Sequence, residues 1–135
     1  MLNKNDLELI EQARAVIDKN FDGKYHVVGA ALRCANGRVY LGVNCDGIHG
    51  SCAEFIAVGA AITAGEREFD TICAVYGRGD DWRCVPPCGN CRQMLFEYMP
   101  EVRVILDENT VKTARELLPF AYEEPIELRN TSAKK

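Results

Sequence analysis

The sequence predicts an α/β fold, a mixed sheet with helices on both faces, and three observations carry that prediction. Short β-branched runs alternate with longer segments of helical periodicity. The first two runs are joined by Asn36-Gly37, a hairpin signal, so the sheet cannot be wholly parallel. The later runs, 71–76 and 102–106, are short and apolar, as expected for strands covered on both sides.

The elements follow in order. Residues 5–20 place Leu7, Ile10, Ala13, Val16 and Ile17 at helical spacing, with Asn5 as N-cap and Glu8 three residues on. Residues 25–35 and 38–43 are the arms of the Asn-Gly hairpin. Residues 52–64 form an apolar helix ended by Gly65. After the strand 71–76 comes a loop, 78–87, and then a helix, 89–99, stopped by Pro100. The strand 102–106 precedes a last short helix, 113–118, before Pro119. No repeat, low-complexity tract or linker interrupts this order, so residues 1–135 are read as one domain.

Composition narrows the function. Apolar residues make up 47% of the 135 and charged residues 27%, which suits a folded core rather than a disordered or fibrous chain. The net charge of -4 repels a phosphate backbone, so no nucleic-acid partner is expected. The polar tail 130–135 has two lysines, too few for a binding arm, and reads as a solvated terminus. Asp6, Glu8 and Glu11 break any apolar run near Met1, and no stretch reaches the length of a membrane span. Seven cysteines in such a chain point to a reducing, cytoplasmic location with some thiols serving a metal.

Pro87-Cys88-Gly89-Asn90-Cys91 is the sharpest local signal. Two thiolates at this spacing can grip one ion, and soft sulfur favours zinc. Alone, the pair also fits a redox dithiol or half of a structural zinc site. Cys52-Ala53-Glu54, opening another helix, supplies a third thiolate. Three protein ligands leave a zinc vertex open for water, whereas a structural site takes four. Cys84 is close enough in sequence to be that fourth ligand, which would close the site; His49 is a weaker rival to Cys52. Cys34, Cys45 and Cys73 read as small hydrophobes or loop thiols.

A zinc ligand followed two residues later by a non-ligand glutamate, and later by Pro-Cys-x-x-Cys, is the recurrent signature of zinc deaminases. The chemistry needs these groups. An exocyclic amine sits on a poorly electrophilic ring carbon, and a metal can activate the attacking water while Glu54 moves protons. Three thiolates would make that water less acidic. Two helix N-termini at the ligands offset the charge, and Arg92 and Arg83 are candidate donors to the sulfurs.

The residues 28–32, Gly42-Val43-Asn44, Cys52-Ala53-Glu54, 87–93 and 116–119 together resemble the cytidine deaminase family, in its order and across nearly the whole chain. The resemblance implies a three-layer α/β/α sandwich around a five-stranded mixed sheet. It implies Zn²⁺ held by Cys52, Cys88 and Cys91, with Glu54 as the catalytic acid and base. It also implies a homotetramer with active sites at subunit contacts, acting on a small aminopyrimidine nucleoside. Substrate contacts carried over in this way fall on Asn44, Asp46, His26, Ala53 and Tyr122. Phe55 after the glutamate and Tyr122 beyond the Leu-Leu-Pro resemble the blasticidin S deaminase branch. Three departures bear on the sugar: Asp46 stands where a glutamate is usual, the stretch from Asn44 to Cys52 is shortened, and His26 replaces a phenylalanine.

Overall fold

The computed structural model describes residues 2–125. The tail read as a solvated terminus, 130–135, lies outside the described residues. Helix α1 (Lys4–Asn20) starts two residues earlier than the sequence suggested. Asn3, not Asn5, is the N-cap: its side chain accepts from the Asp6 N–H at 2.8 Å, and Asp6 accepts from the Asn3 N–H at 3.0 Å. An Asp can close this reciprocal box as a Glu does.

Strands β1 (Val28–Cys34) and β2 (Val39–Val43) form the expected hairpin. Helix α2 (Ala53–Thr63), strand β3 (Phe69–Arg78), strand β4 (Asp81–Cys84), helix α3 (Gly89–Tyr98) and strands β5 (Arg103–Ile105) and β6 (Val111–Thr113) follow. The path across the sheet is β2-β1-β3-β5-β6, with β4 also paired to β3. Among the described strands, only β3 and β5 run parallel.

The sheet therefore has six strands rather than five. The first part of β3 pairs with β5, and its last residues pair with β4 through Val75↔Cys84 to Arg78↔Asp81. The predicted loop 78–87 thus contains an edge strand. Its Gly79-Asp80 turn, with Gly79 at φ +55, closes a hairpin, and the alternation of Trp82 and Cys84 with Asp81 and Arg83 spans only four residues, too short to reveal it among polar neighbours. The predicted helix 113–118 is likewise absent. Thr113 ends β6, and one turn follows, with the Leu117 N–H donating to the Thr113 carbonyl at 3.2 Å. Pro119 arrives before a second turn can repay nucleation.

Alternate residues of the inner strands face opposite sides. Ala30, Leu32, Ile72, Ala74 and Val104 pack beneath α2 and α3. Ala31, Cys73, Val75 and Ile105 pack beneath α1. Three layers result, as expected. Two glycines allow close approach: a Cβ at Gly29 would collide with the Ala13 carbonyl of α1, and one at Gly42 would lie 2.6 Å from the Ala57 nitrogen of α2. Gly42 in this way seats the first turn of α2, which carries the site, directly on β2.

Candidate active site

Cys52 is the N-cap of α2, and Cys88 is the N-cap of α3 with Cys91 in that helix's first turn. Two helix N-termini, far apart in sequence, thereby bring three sulfurs together within 4.8 Å of one another. The Cys52 and Cys88 sulfurs are 3.5 Å apart. Ligands about 2.3 Å from a tetrahedral zinc stand roughly 3.8 Å from each other, so this spacing fits the ion. Among the described residues no other group of His, Cys, Asp or Glu side chains converges in this way.

Burial pushes the Cys52 thiol up, and the neighbouring Cys88 adds to the rise. Burial also raises Cys91, helped by the charge of Glu54. Burial acts on Cys88 too, but the Cys91 N–H, the Cys52 and Cys91 thiols and the Asn90 N–H together outweigh it and hold that thiol below its ordinary value. Cys84 lies in the other core, with Leu9, Ile10 and Val75 beneath α1, where burial pushes its thiol up to about 11. The sheet separates it from the three sulfurs, so it is not a fourth ligand. His49 sits exposed in the loop before Cys52 and is outside the cluster.

Glu54, in the first turn of α2, is 6% exposed. Burial raises its carboxyl above the usual range, and no basic side chain pairs with it among the described residues. It lines a cleft of about 330 Å³ together with Cys52, Cys88, Ala53, Asn44 and Asp46. That size is at the lower end for small-molecule sites. Cys45, Gly47, Gly50, Ser51, Val28, Val85 and Pro86 complete the wall. Sequence reasoning did not pick these out as lining. Cys45 and Ser51 carried a positional signal, since each sits beside a residue that was picked, and their mutual backbone bridge at 2.9 Å narrows the loop between them.

Of the expected substrate contacts, Asn44, Asp46 and Ala53 line this cleft, whereas His26 and Tyr122 do not. The His26 ring is turned onto the backbone, with Nδ1 2.7 Å from the Asn44 carbonyl oxygen. Tyr122 is exposed beside α3, its carbonyl accepting from Gln93 Nε2 at 3.1 Å, and it borders a separate hollow with Phe96, Tyr98 and Arg115. Within one chain, the segment after Pro119 runs along α3 and away from the sulfurs. Arg92 donates to the Pro87 carbonyl at 2.9 Å and to the Leu117 carbonyl at 3.3 Å, rather than to a sulfur. It clamps the loop that carries Cys88. Arg83, on β4, borders another hollow with Trp82 and Tyr76.

The comparisons agree with this geometry. The model of the cytidine and deoxycytidylate deaminase zinc-binding region matches residues 3–106. A blasticidin-S deaminase of Bacillus cereus is 37% identical, the match covering 90% of this chain and 94% of that protein. A cytidine deaminase of Halalkalibacterium halodurans is 38% identical, over 70% of this chain and 76% of its own length. Among solved structures, the cytidine deaminase of Burkholderia pseudomallei superposes with a TM-score of 0.71 at 32% identity, covering 90% of this chain and all of that one. That of Mycobacterium leprae gives 0.73 at 30% identity, covering 87% and 99%. Three sulfurs gathered by two helix starts, a buried glutamate beside them and a match over most of the length lead to one conclusion: the chain belongs to the cytidine and deoxycytidylate deaminase family.

Proposed function

We propose that the chain is a zinc-dependent hydrolytic deaminase of a cytosine-type nucleoside, converting cytidine or deoxycytidine and water to the uridine and ammonia. The observation that carries this reading is the placement of Glu54 in the same cleft as Cys52 and Cys88, with Cys91 closing the sulfur triangle behind them. Cys52, Cys88 and Cys91 hold the zinc. When bound, zinc supplies a Lewis acid that makes water a nucleophile near neutral pH.

Glu54 moves the protons. Its carboxylate takes one from the attacking water, and its acid form delivers that proton to the ring nitrogen beside the amine-bearing carbon. The same carboxyl then carries the remaining hydroxyl proton to the departing amine. The carbon–nitrogen bond breaks, a carbonyl forms and ammonia leaves. Ala53, buried at the helix start, shapes the floor, while Asn44 and Asp46 at the mouth receive the sugar. Arg92 acts indirectly, through the Pro87 carbonyl next to Cys88.

Charge favours a nucleoside over a nucleotide. Among the described residues, the lining side chains include the carboxylates of Asp46 and Glu54 and no lysine, arginine or histidine. A phosphate there would meet repulsion without a partner. The same argument, with the net charge of -4, disfavours nucleic acid. Among the described residues no helix is long and apolar enough to cross a membrane. None of the seven cysteines is in a disulfide, which suits the cytoplasm. Ile48 and Phe120 are fully exposed apolar side chains, and they support a homotetramer in which the segment bearing Phe120 and Tyr122 reaches a neighbour's cleft.

A second reading is deamination of a blasticidin S-type nucleoside antibiotic. It is favoured by the fuller coverage of the Bacillus cereus relative. One assay separates the two. Zinc-loaded protein is offered cytidine, deoxycytidine and blasticidin S, and the loss of aminopyrimidine absorbance is followed. Turnover of the first two is expected; turnover of blasticidin S alone would select the second reading, and inertness toward all three would end both.

A further inference from the structure

We propose that His26 is the positioning residue of the cleft's mouth, holding the Asn44–Asp46 turn in the orientation that receives the sugar. The proposal rests on the nucleoside reading above for what the mouth receives, but the structural observation is independent of it.

Among the described residues His26 is one of two non-glycine residues at positive φ, at +70°. Side chains adopt that conformation rarely, and it persists where surrounding contacts enforce it. Two contacts do so here, and both lead to the same turn. The His26 N–H donates to Asp46 Oδ2 at 3.1 Å. Its ring Nδ1 lies 2.7 Å from the Asn44 carbonyl oxygen. A carbonyl only accepts, so Nδ1 is the donor and carries the proton.

The turn is otherwise braced by its own side chains and by the start of β1, where the Val28 carbonyl accepts from the Asn44 N–H at 3.1 Å. Asn44 Nδ2 donates to Asp46 Oδ1 at 3.1 Å, and Asn44 Oδ1 accepts from the Val28 N–H at 3.0 Å. Asp46 therefore has one oxygen engaged by Asn44 and the other by His26. What is left over is the second amide N–H of Asn44 and the spare lone pairs of Asp46, on two residues that line the cleft. A sugar hydroxyl needs that combination of donor and acceptor.

The chain beyond Asp46 cannot set this orientation. Gly47 and Gly50 both have positive φ, and Ile48 between them is fully exposed. The Cys45–Ser51 bridge ties the ends of the loop but leaves side-chain direction free. Among the described residues, His26 is the one side chain that reaches the turn from outside it and bonds its backbone.

The test uses two full-length, zinc-loaded variants. His26→Gly relieves the positive φ and keeps the backbone N–H, but removes the ring. His26→Asn tolerates positive φ and returns an N–H close to where Nδ1 stood. Losing one hydrogen bond that orients substrate groups is expected to raise KM for cytidine about three- to tenfold in His26→Gly, with kcat within about twofold. Zinc stoichiometry and Tm stay near wild type, amide exchange across 44–51 speeds up, and His26→Asn recovers most of the KM. An unchanged KM in His26→Gly overturns the proposal. So does a joint fall of kcat and zinc content, which would mark a structural role, or a failure of Asn to improve on Gly. If the wild type turns over no substrate, the nucleoside reading falls by itself. Exchange across 44–51 then decides His26, and unchanged exchange in His26→Gly overturns it.

Discussion

Among single residues, Glu54 carries the most consequence. It is almost fully buried, lines the cleft and has no cationic partner among the described residues. A buried carboxyl without an ion pair is costly unless function requires it. Replacing it with glutamine preserves volume and removes the ability to accept a proton. The expected result for Glu54→Gln is a fall in kcat of about 10²–10⁴, with zinc content and Tm retained, read by ammonia release and metal analysis. Full activity in that variant would refute the proton-shuttle role. This side chain and the three sulfurs were legible in the sequence because their chemistry is encoded in spacing: Cys-Ala-Glu at one helix start and Cys-x-x-Cys at another. His26 was legible only as a position. Its role depends on a left-handed backbone and a ring turned onto a carbonyl, neither of which a residue name reveals. Arg92 was expected at a sulfur, and its guanidinium went to two carbonyls instead, because an arginine can satisfy itself on any nearby acceptor.

Among elements, α1 is joined to the sheet by more than its apolar stripe. Asp6, with no exposed surface, accepts two hydrogen bonds from Arg103 of β5 at 2.8 and 2.9 Å, and Arg103 also reaches Thr71 Oγ1 at 2.9 Å. The Arg103 guanidinium, joined by the Asn3 N–H, holds the Asp6 carboxyl below its ordinary value against the opposing effect of burial. A carboxyl depressed in the native state stabilises the fold above its unfolded-state pKa, about 3.9, and loses that contribution as pH falls through the native value. Asp6→Asn leaves Arg103 without its counter-charge. It should lower stability at pH 7 by roughly 2–3 kcal/mol, less than for a fully buried pair because Arg103 is 35% exposed. Denaturation of wild type and variant along a pH series is the check, and the gap should narrow below about pH 4. A constant gap would show that the ion pair is not its source. Helices and hairpin were legible here from periodicity and Asn36-Gly37, while β4 and the single turn after β6 were not. The edge strand gains its stability from ladder bonds to β3 and offers only Trp82 and Cys84 as an apolar rhythm, too short to read, while the lone turn rests on the reciprocal Thr113–Glu116 side-chain bonds and leaves none.

At the scale of the molecule, the question is what covers the apolar groups that one chain leaves in water. Ile48 and Phe120 are completely exposed, and Tyr122 and Tyr98 are more than half exposed. Phe120 also holds φ +56, an unfavourable conformation for an aromatic residue. Ile48 stands in the loop between Gly47 and Gly50 of the cleft wall, and Tyr98 and Tyr122 line the hollow beside α3, so one chain carries both an open site and a segment that does not cover it. A closed assembly resolves both, since a neighbour's segment can bury its aromatics while completing the wall. Light scattering of zinc-loaded protein should therefore give a mass near four times the 15.0 kDa chain. Phe120→Ser should shift the protein toward smaller species and lower activity together, although Phe120 does not line its own chain's cleft. A fully active monomer would show that the cleft is complete within one chain and that the exposed aromatics serve something else.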